Sequence, residues 1–395
     1  MAGAELGVIA LCIVVNMMDG FEIFVPSFTA PQIAGQWSLT ASQLGTLFSS
    51  GPIGMILGAL ALAPLADWWG RRRTMMFCLS LISIGMLLSA QTRGLGQLMA
   101  MRLLAGSGVG AMLAVNNTIV AEHANDRWRD LAVCLQAAGV PLGATLGGVV
   151  AYVFAEASWR WVFLLGGVVA ALLIGAVAAW LPAEPGRTYG DPITLESNDS
   201  VANSLLICAS CFLLMFTFYF LTNWMPKLLT DYGLSAKTGI SGGTFMNLGG
   251  VIGDLVFAFL TIRWSARRLG PVFMAACFLA VLVFAVLPIR PESLTLIALT
   301  LGFLLFGSMA SIYALVPTIY PAIRRASGTG LTIGLGRLGA AGGPYVGGLL
   351  IAMGWHRTTY LLIMAVPLLL CAAGISSLSN TARSAIVFRE SKSIR

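Results

Sequence analysis

Long apolar runs separated by short polar or glycine- and proline-containing segments dominate this chain. Read by hydropathy, twelve such runs occupy residues 6–28, 43–65, 74–92, 98–121, 131–154, 159–181, 203–225, 239–261, 271–289, 294–318, 327–352 and 359–378. A helix needs roughly 20 apolar residues to cross the hydrocarbon core of a bilayer, and each run approaches that length. Inside the core every backbone N–H and C=O must be satisfied within the segment, so runs of this kind predict helices. The one long polar stretch in the interior, residues 182–200 (PAEPGRTYGDPITLESNDS), reads as a linker. It separates a first bundle, 1–181, from a second, 201–380, with a tail at 381–395. The expected fold class is therefore an all-α membrane protein with twelve transmembrane helices in two six-helix, pseudo-symmetric bundles.

An internal repeat supports that division. Sliding the chain against itself by 196 residues brings Trp68 onto Trp264, Arg71 and Arg72 onto Arg267 and Arg268, Leu142-Gly143-Ala144 onto Leu338-Gly339-Ala340, Gly147 onto Gly343 and Trp159 onto Trp355. Coincidences of Leu or Ala carry little weight in so apolar a chain. Coincidences of Trp, paired Arg and Gly at one offset in three regions predict two parallel six-span repeats, with a binding site between them near the bilayer midplane.

Composition agrees and narrows the classes. Charged residues make up 10% of the chain and hydrophobic ones 58%, with a mean hydropathy of +0.87. A water-soluble domain carries about 25% charged residues. The net charge of +7 is spread over short loops, which favours a cytoplasmic loop bias over nucleic-acid binding. Fifteen Lys and Arg fall in even-numbered loops and the tail, six in odd-numbered loops, and Arg102 and Arg337 lie within spans, completing the 23. Both termini are thus expected on the cytoplasmic side of a bacterial-type plasma membrane. The first run lacks a preceding basic stretch and continues into polar residues, so it reads as a span and not as a cleaved leader. Cys208 and Cys211 form a C-x-x-C inside an apolar run, and the two histidines, His123 and His356, are distant in sequence. No metal and no cofactor are expected.

Ionisable residues inside spans cost roughly 2.5–3.5 kcal/mol each at a helix centre and so mark candidate chemistry. In the first span, Asn16-Met-Met-Asp19-Gly20-Phe-Glu22 puts two carboxylates three residues apart on one helical face. Two such groups repel in a low-dielectric site, which suits Asp19 and Glu22 to proton carriage. Arg102, in Arg102-Leu-Leu-Ala-Gly106-Ser-Gly108-Val-Gly110, requires a counter-charge or an anionic substrate, with Asp19 or Glu22 the available partners; snorkelling to the interface is the alternative. Arg337, mid-span among glycines, is a candidate to receive a carboxylate. Between the second and third spans, Asp67-Trp-Trp-Gly70-Arg71-Arg72-Arg73 combines an acid, a turn-forming glycine and three basic residues. A positive-inside anchor accounts for the arginines but not for Asp67 and Gly70. Asp254, in the eighth span, has only Arg263 or another arginine of that side as a prospective partner.

These segments resemble the major facilitator superfamily. Asp67, Gly70 and Arg71–Arg73 match its G-x-L-A-D-R-x-G-R-R-R loop, with Ala63 and Trp68 as departures, and Arg102 to Gly110 matches R-x-x-x-G-x-G-x-G. Within it, Asp19-Gly-Phe-Glu22, Glu122-His123, Phe220-Leu-Thr-Asn-Trp-Met-Pro-Lys227, Tyr320-Pro321 and Arg324 to Gly330 resemble the aromatic acid:proton symporters, with Glu22 where Asp is usual. The resemblance implies a monomeric, proton-coupled secondary transporter that imports a small organic acid, an aromatic carboxylate by that likeness, by alternating access. It implies importance for Asp19, Glu22, Asp67, Arg102 and Glu122, and gating for Asp67, Gly70, Arg71, Arg72, Arg73 and Glu122. Asn116, Asn117, Asn223, Trp224 and Tyr313 are candidates with Arg102 and Arg337 for the solute site. Two readings remain alongside. Efflux of a drug or metabolite by proton antiport is suggested by Gly139-Val-Pro-Leu-Gly143-Ala144-Thr-Leu-Gly147-Gly148, which resembles an antiporter motif save for Ala144. A non-transporting membrane sensor is disfavoured by the short tails. No nucleophile–base pair or metal cluster can be assembled, so no enzyme is expected.

Overall fold

In the computed structural model, residues 3–123, 132, 135–182, 198–287, 291–320 and 325–378 are described. They form twelve long helices and one short one, with no strand among the described residues. In chain order the long helices are α1 (Gly3–Trp37), α2 (Ala41–Ala61), α3 (Arg71–Ser89), α4 (Leu95–His123), α5 (Gly139–Val153) and α6 (Arg160–Trp180), then α7 (Asn198–Asp231), α8 (Ala236–Leu260), α9 (Ala266–Val286), α10 (Pro291–Ile319), α11 (Arg325–Ala352) and α12 (Arg357–Ser377). The short helix Leu65–Trp69 joins α2 to α3. Among the described residues, eleven segments are long and apolar enough to cross a membrane. α11 falls outside that set because its glycines and Arg337 dilute its hydropathy. The proposed linker, 182–200, lies almost wholly outside the described residues, as does the tail.

Two helices run further than hydropathy predicts. α1 continues to Trp37 through Pro26 and Pro31, and α7 continues to Asp231 through Pro226. Hydropathy reports only the part of a helix in oil. Proline inside a helix leaves the carbonyl four residues earlier without its N–H partner, and neighbouring helices take up the slack. Pro226 frees the Thr222 carbonyl, which accepts a hydrogen bond from the Ser27 hydroxyl at 2.9 Å. The same hydroxyl lies 2.7 Å from the Asn223 carbonyl.

Each half packs in the same way. α1 lies along α5, α2 along α4, and α3 against α4 and α6; six helices later, α7 lies along α11, α8 along α10, and α9 against α10 and α12. Glycines make the close contacts. A Cβ at Gly143 would strike the Met17 carbonyl, and one at Gly339, 196 residues on, would strike the Phe212 carbonyl. Arginines cap the third helix of each half: Arg160 donates to the Ala90 and Thr92 carbonyls, both at 2.7 Å, and Arg357 donates to the Phe284 carbonyl. A cation at a helix C-terminus satisfies orphan carbonyls and opposes the negative end of the dipole.

The halves meet mainly through α2 with α11 and α5 with α8, a pair of contacts that the repeat interchanges, and through α1 with α7. Among the described residues, the cross-half bonds cluster at the end that carries the α1–α2, α5–α6, α7–α8 and α11–α12 loops. Ser27 bonds α7 there, and the Ser49 hydroxyl donates to the Ala341 carbonyl at 2.6 Å. A Cβ at Gly45 would come within 2.8 Å of the Pro344 carbonyl, and Phe48 meets Trp224 edge to face at 5.3 Å. Lys237 pairs with Glu156 at 2.6 Å. That hydrogen bond and charge hold the Glu156 carboxyl below its ordinary range, so the pair persists at neutral pH and is lost as pH falls through the lowered value. This is the closed end of the molecule.

The glycine contacts generate a stability prediction. Gly143→Leu forces a side chain into the Met17 backbone, and overpacking of that kind costs about 1–3 kcal/mol or more. Gly175→Leu on α6 meets open space, with nothing within 4 Å. Thermal unfolding of the detergent-solubilised protein should show a lowered midpoint for the first and no loss for the second; equal midpoints would contradict the packing.

Candidate functional site

Asp19 and Glu22 are presented by the packing of α1. A Cβ at Gly20 would land on the Val140 carbonyl, and Gly139 and Gly143 face Ile13, Asn16 and Met17. The glycine face of α5 therefore covers one side of α1 and leaves the Asp19–Glu22 side turned to the bundle interior. Both acids are fully buried.

Glu22 is held by Arg102, with which it forms a buried ion pair. Pro26 supplies no N–H, so the Glu22 carbonyl also lacks its helical partner. Arg102 Nη2 fills that vacancy too, donating to the Glu22 carbonyl oxygen at 2.9 Å. One guanidinium thus anchors both the side chain and the backbone of a single residue at a proline break. Its position follows from the motif on α4. Gly106 and Gly110 abut the Gly51 and Met55 carbonyls of α2, while Gly108 abuts the Cys78 carbonyl of α3. Gly51 lies beside the guanidinium, where a Cβ would sit in ordinary contact 3.8 Å from Nη2, and Phe163 offers its ring at 5.8 Å. Arg102 does not snorkel; it is 2% exposed.

Asp19 has no such arrangement. Neither of its carboxylate oxygens has a hydrogen-bond partner among the described residues. A charge buried without partners is strongly disfavoured. Across the interface, Arg337 on α11 is 7% exposed and stands close enough to Asp19 to act on it electrostatically, yet the two are not among the described ion pairs. Tyr219 on α7 lies within electrostatic reach of Arg337 and Glu22. With Ile23, Pro26, Phe48, Arg102 and Asn223 it lines a small cavity under the closed end, with room for about one water molecule.

The remaining candidates divide. Tyr313 on α10 is 43% exposed and neighbours Tyr219, Arg337 and Asp254. Its repeat equivalent Asn117 on α4 is also exposed. Together they lie toward the end of the bundle opposite the closed one. Asn116, in contrast, is buried against α1 and donates to the Cys12 carbonyl at 2.9 Å. Trp224 is fully buried, its Nε1 donating to the Pro344 carbonyl at 3.1 Å, so it seals the closed end. Asn223 donates to the Tyr219 carbonyl of its own helix at 2.8 Å. In the α2–α3 loop, Gly70 adopts φ 84°, a left-handed conformation that requires glycine, and so separates the short helix from α3. Arg72 donates to the Ala178 carbonyl near the end of α6, Arg71 is partly buried and Arg73 is exposed. The side chains of Asp67 and Glu122 lie outside the described residues. Asp254 does not pair with Arg263 among the described residues.

Sequence reasoning missed two features. The Pro26 vacancy was readable in principle, since proline stands four residues after Glu22. Tyr219 left no signal, being one aromatic in an aromatic-rich apolar run.

Comparison with known proteins places this geometry. The model of the Major Facilitator Superfamily matches residues 9–344. The 3-(3-hydroxy-phenyl)propionate transporter of Escherichia coli (strain K12) is 30% identical, over 88% of this chain and 87% of that protein. The gallate transporter of Pseudomonas putida is 26% identical, over 94% and 91%, and the 4-hydroxybenzoate transporter PcaK of Pseudomonas aeruginosa is 26% identical, over 93% and 91%. In fold, the chain is similar to a D-xylose-proton symporter (TM-score 0.76, 16% identity, 94% of this chain and 97% of that one). It is equally similar to a bacterial homologue of the human lysosomal transporter Spinster in an inward-facing and occupied conformation (TM-score 0.76, 16% identity, 93% and 95%). Twelve helices in two repeats, buried charges at their interface and a match over most of its length identify this chain as a member of the major facilitator superfamily, a transporter and not an enzyme.

Proposed function

We propose that the protein imports a small aromatic carboxylate together with protons across a bacterial inner membrane, by alternating access between the two halves. The observation that carries this reading is a pair of opposite buried charges, Asp19 on the first half and Arg337 on the second, near one another but not joined. An arginine left unpaired in oil is a receptor for an anion. A carboxylate left unpaired there is stable once it holds a proton. In the empty carrier, charged Asp19 offsets Arg337 across the gap. When a substrate carboxylate binds Arg337, that compensation is no longer needed, and Asp19 takes up a proton. The loaded site then carries no excess charge, and the halves can rock. Binding of solute and proton thereby favour the same state, which is what coupling requires. The names of the relatives, each a transporter of an aromatic acid, support the solute class.

The Glu22–Arg102 pair takes a different role in this reading. It fixes the α1 break to α4 and keeps Arg102 from competing for the solute. The closed end is assigned to the outer face, in keeping with the loop charges, and the Asp67–Arg73 loop to control of the opposite end.

Reconstituted vesicles test the proposal. With an inward proton gradient, labelled 4-hydroxybenzoate should accumulate, and an ionophore should abolish accumulation. Asp19→Asn should lower gradient-driven accumulation at least about tenfold, equivalent to about 1.4 kcal/mol, while exchange of labelled for unlabelled acid continues. Undiminished accumulation in Asp19→Asn would remove the proton carrier, and gradient-driven extrusion of cationic dyes would favour antiport. Initial uptake should also rise as the outer pH falls, by up to about tenfold per unit for one proton per cycle; a pH-independent rate with a measured gradient present would sink the coupling. Glu22→Gln leaves Arg102 buried beside a neutral partner. Removing one member of a buried pair costs about 3–5 kcal/mol, so its thermal midpoint should fall well below that of Asp19→Asn.

A further inference from the structure

The closed end has two seams, and they are closed differently. Between α2 and α11, small residues let the backbones meet: a Cβ at Gly348 would lie 2.7 Å from the Ala41 carbonyl and 3.0 Å from the Gly45 Cα. The repeat places Tyr152 at the position of Gly348, Lys237 at that of Ala41, Ser241 at that of Gly45 and Phe245 at that of Ser49. Each of these side chains is the larger of its pair, and together they prop open the outer part of the α5–α8 seam. A cavity of about 120 Å³ results, lined by Tyr152 of the first half and, from α8 and α10 of the second, by Lys237, Ser241, Phe245, Leu294 and Thr295. That is roughly the space of ten water molecules. One turn deeper along α5 the seam tightens, where a Cβ at Gly148 would strike the Thr244 hydroxyl and come within 3.2 Å of the Phe28 ring.

The lining defines what fits. Lys237 is the cation of the cleft. Its ammonium pairs with Glu156, on the loop after α5, at 2.6 Å and lies 5.6 Å from the centroid of the Tyr152 ring. Thr295 adds a hydroxyl, while Tyr152, Phe245 and Leu294 supply apolar wall. One cation beside aromatic and aliphatic surface suits an anion with a flat apolar body better than an inorganic ion. The present partner of Lys237 is easily exchanged. Glu156 is 81% exposed, so a carboxylate that takes its place returns it to water at little cost.

We propose that this cleft is an outer binding site for the aryl carboxylate, in which the carboxylate replaces Glu156 on Lys237 and the ring lies against Tyr152 and Phe245. The site rests on the solute class and the outer orientation proposed above, and adds a stage before the solute reaches Arg337. The Lys237–Glu156 pair joins the two halves, so the exchange removes one of the bonds that hold this end shut. An open seam has no such pair to break. The solute therefore binds the open state more tightly and draws the equilibrium toward it.

Substitution of the two charges tests the site, because it moves the KM for 4-hydroxybenzoate uptake into proteoliposomes in opposite directions. Glu156→Gln frees Lys237 from its competitor and should lower KM by up to about fivefold, the worth of an exposed ion pair. Lys237→Gln removes the receptor and should raise KM about tenfold. Ser241→Phe fills the cleft with both charges in place and should also raise it. Were Lys237 only a tie between the halves, both charge variants would break the same pair and shift KM alike. Equal shifts in one direction overturn the site, and so does a native KM in Ser241→Phe. A KM that rises with the share of phosphatidylglycerol in native vesicles, but not in those of Lys237→Gln, would give the cleft to a lipid headgroup and overturn it too. Native vesicles that carry no aryl carboxylate would instead defeat the substrate reading itself.

Discussion

A guanidinium in a low-dielectric interior has to be neutralised and hydrogen-bonded at once, and Arg102 obtains both from Glu22. The acid supplies the counter-charge, and its carbonyl, released by Pro26, supplies an acceptor. The pairing makes sense of three facts that look separate in the sequence: a carboxylate in a first span, a proline four residues later, and an arginine among glycines in the fourth. Desolvating two ions can exceed their mutual attraction unless further hydrogen bonds are made. The freed carbonyl is such a bond. Because α1 and α4 are fixed to one another at this point, Asp19 one turn earlier is left facing the interface without a hydrogen-bond partner among the described residues.

The repeat explains where that interface lies but not its chemistry. Gly143 and Gly339 serve equivalent contacts on Met17 and Phe212, so the same backbone geometry is used twice. The charges are not duplicated: the position equivalent to Asp19 is Met215, and the position equivalent to Arg337 is Pro141. A symmetric scaffold thus carries Asp19 on one half and Arg337 on the other, neither with a charged repeat counterpart. A solute lying between them touches both halves, and a change of charge on either side alters how strongly the halves attract.

Much of this was legible in the chain. Span count, the six-plus-six division and the intramembrane charges follow from hydropathy and from the 196-residue offset, because bilayer thickness and backbone satisfaction leave few alternatives. The limits of α1 and α7 were not, since Ser27 and Arg102 on neighbouring helices satisfy the carbonyls freed by Pro226 and Pro26 and let the helices run on. Nor was the fate of the polar residues. Asn116, Asn117 and Asn223 are the same letter, yet one bonds α1, one is exposed and one bonds its own helix, while Trp224 beside the last closes the interface. The direction in which a helix face points depends on which glycines let a neighbour approach, and that is settled only by packing.

The closed end is built to come apart. Its bonds are serine hydroxyls on carbonyls, an exposed ion pair and glycine contacts, without a cross-half pair of buried charges among the described residues. Each hydrogen bond contributes a net of about 0.5–1.5 kcal/mol, and the partners need not be orphaned on opening. Ser49 already lies 2.9 Å from the Gly45 carbonyl of its own helix while bonding Ala341, so it retains an acceptor if α11 withdraws. Had the halves been joined there by a pair like Glu22–Arg102, separation would strand two ions in oil. The buried ion pair Glu22–Arg102 is instead confined within one half, where nothing has to part, and the weak, replaceable bonds are placed where the molecule must open.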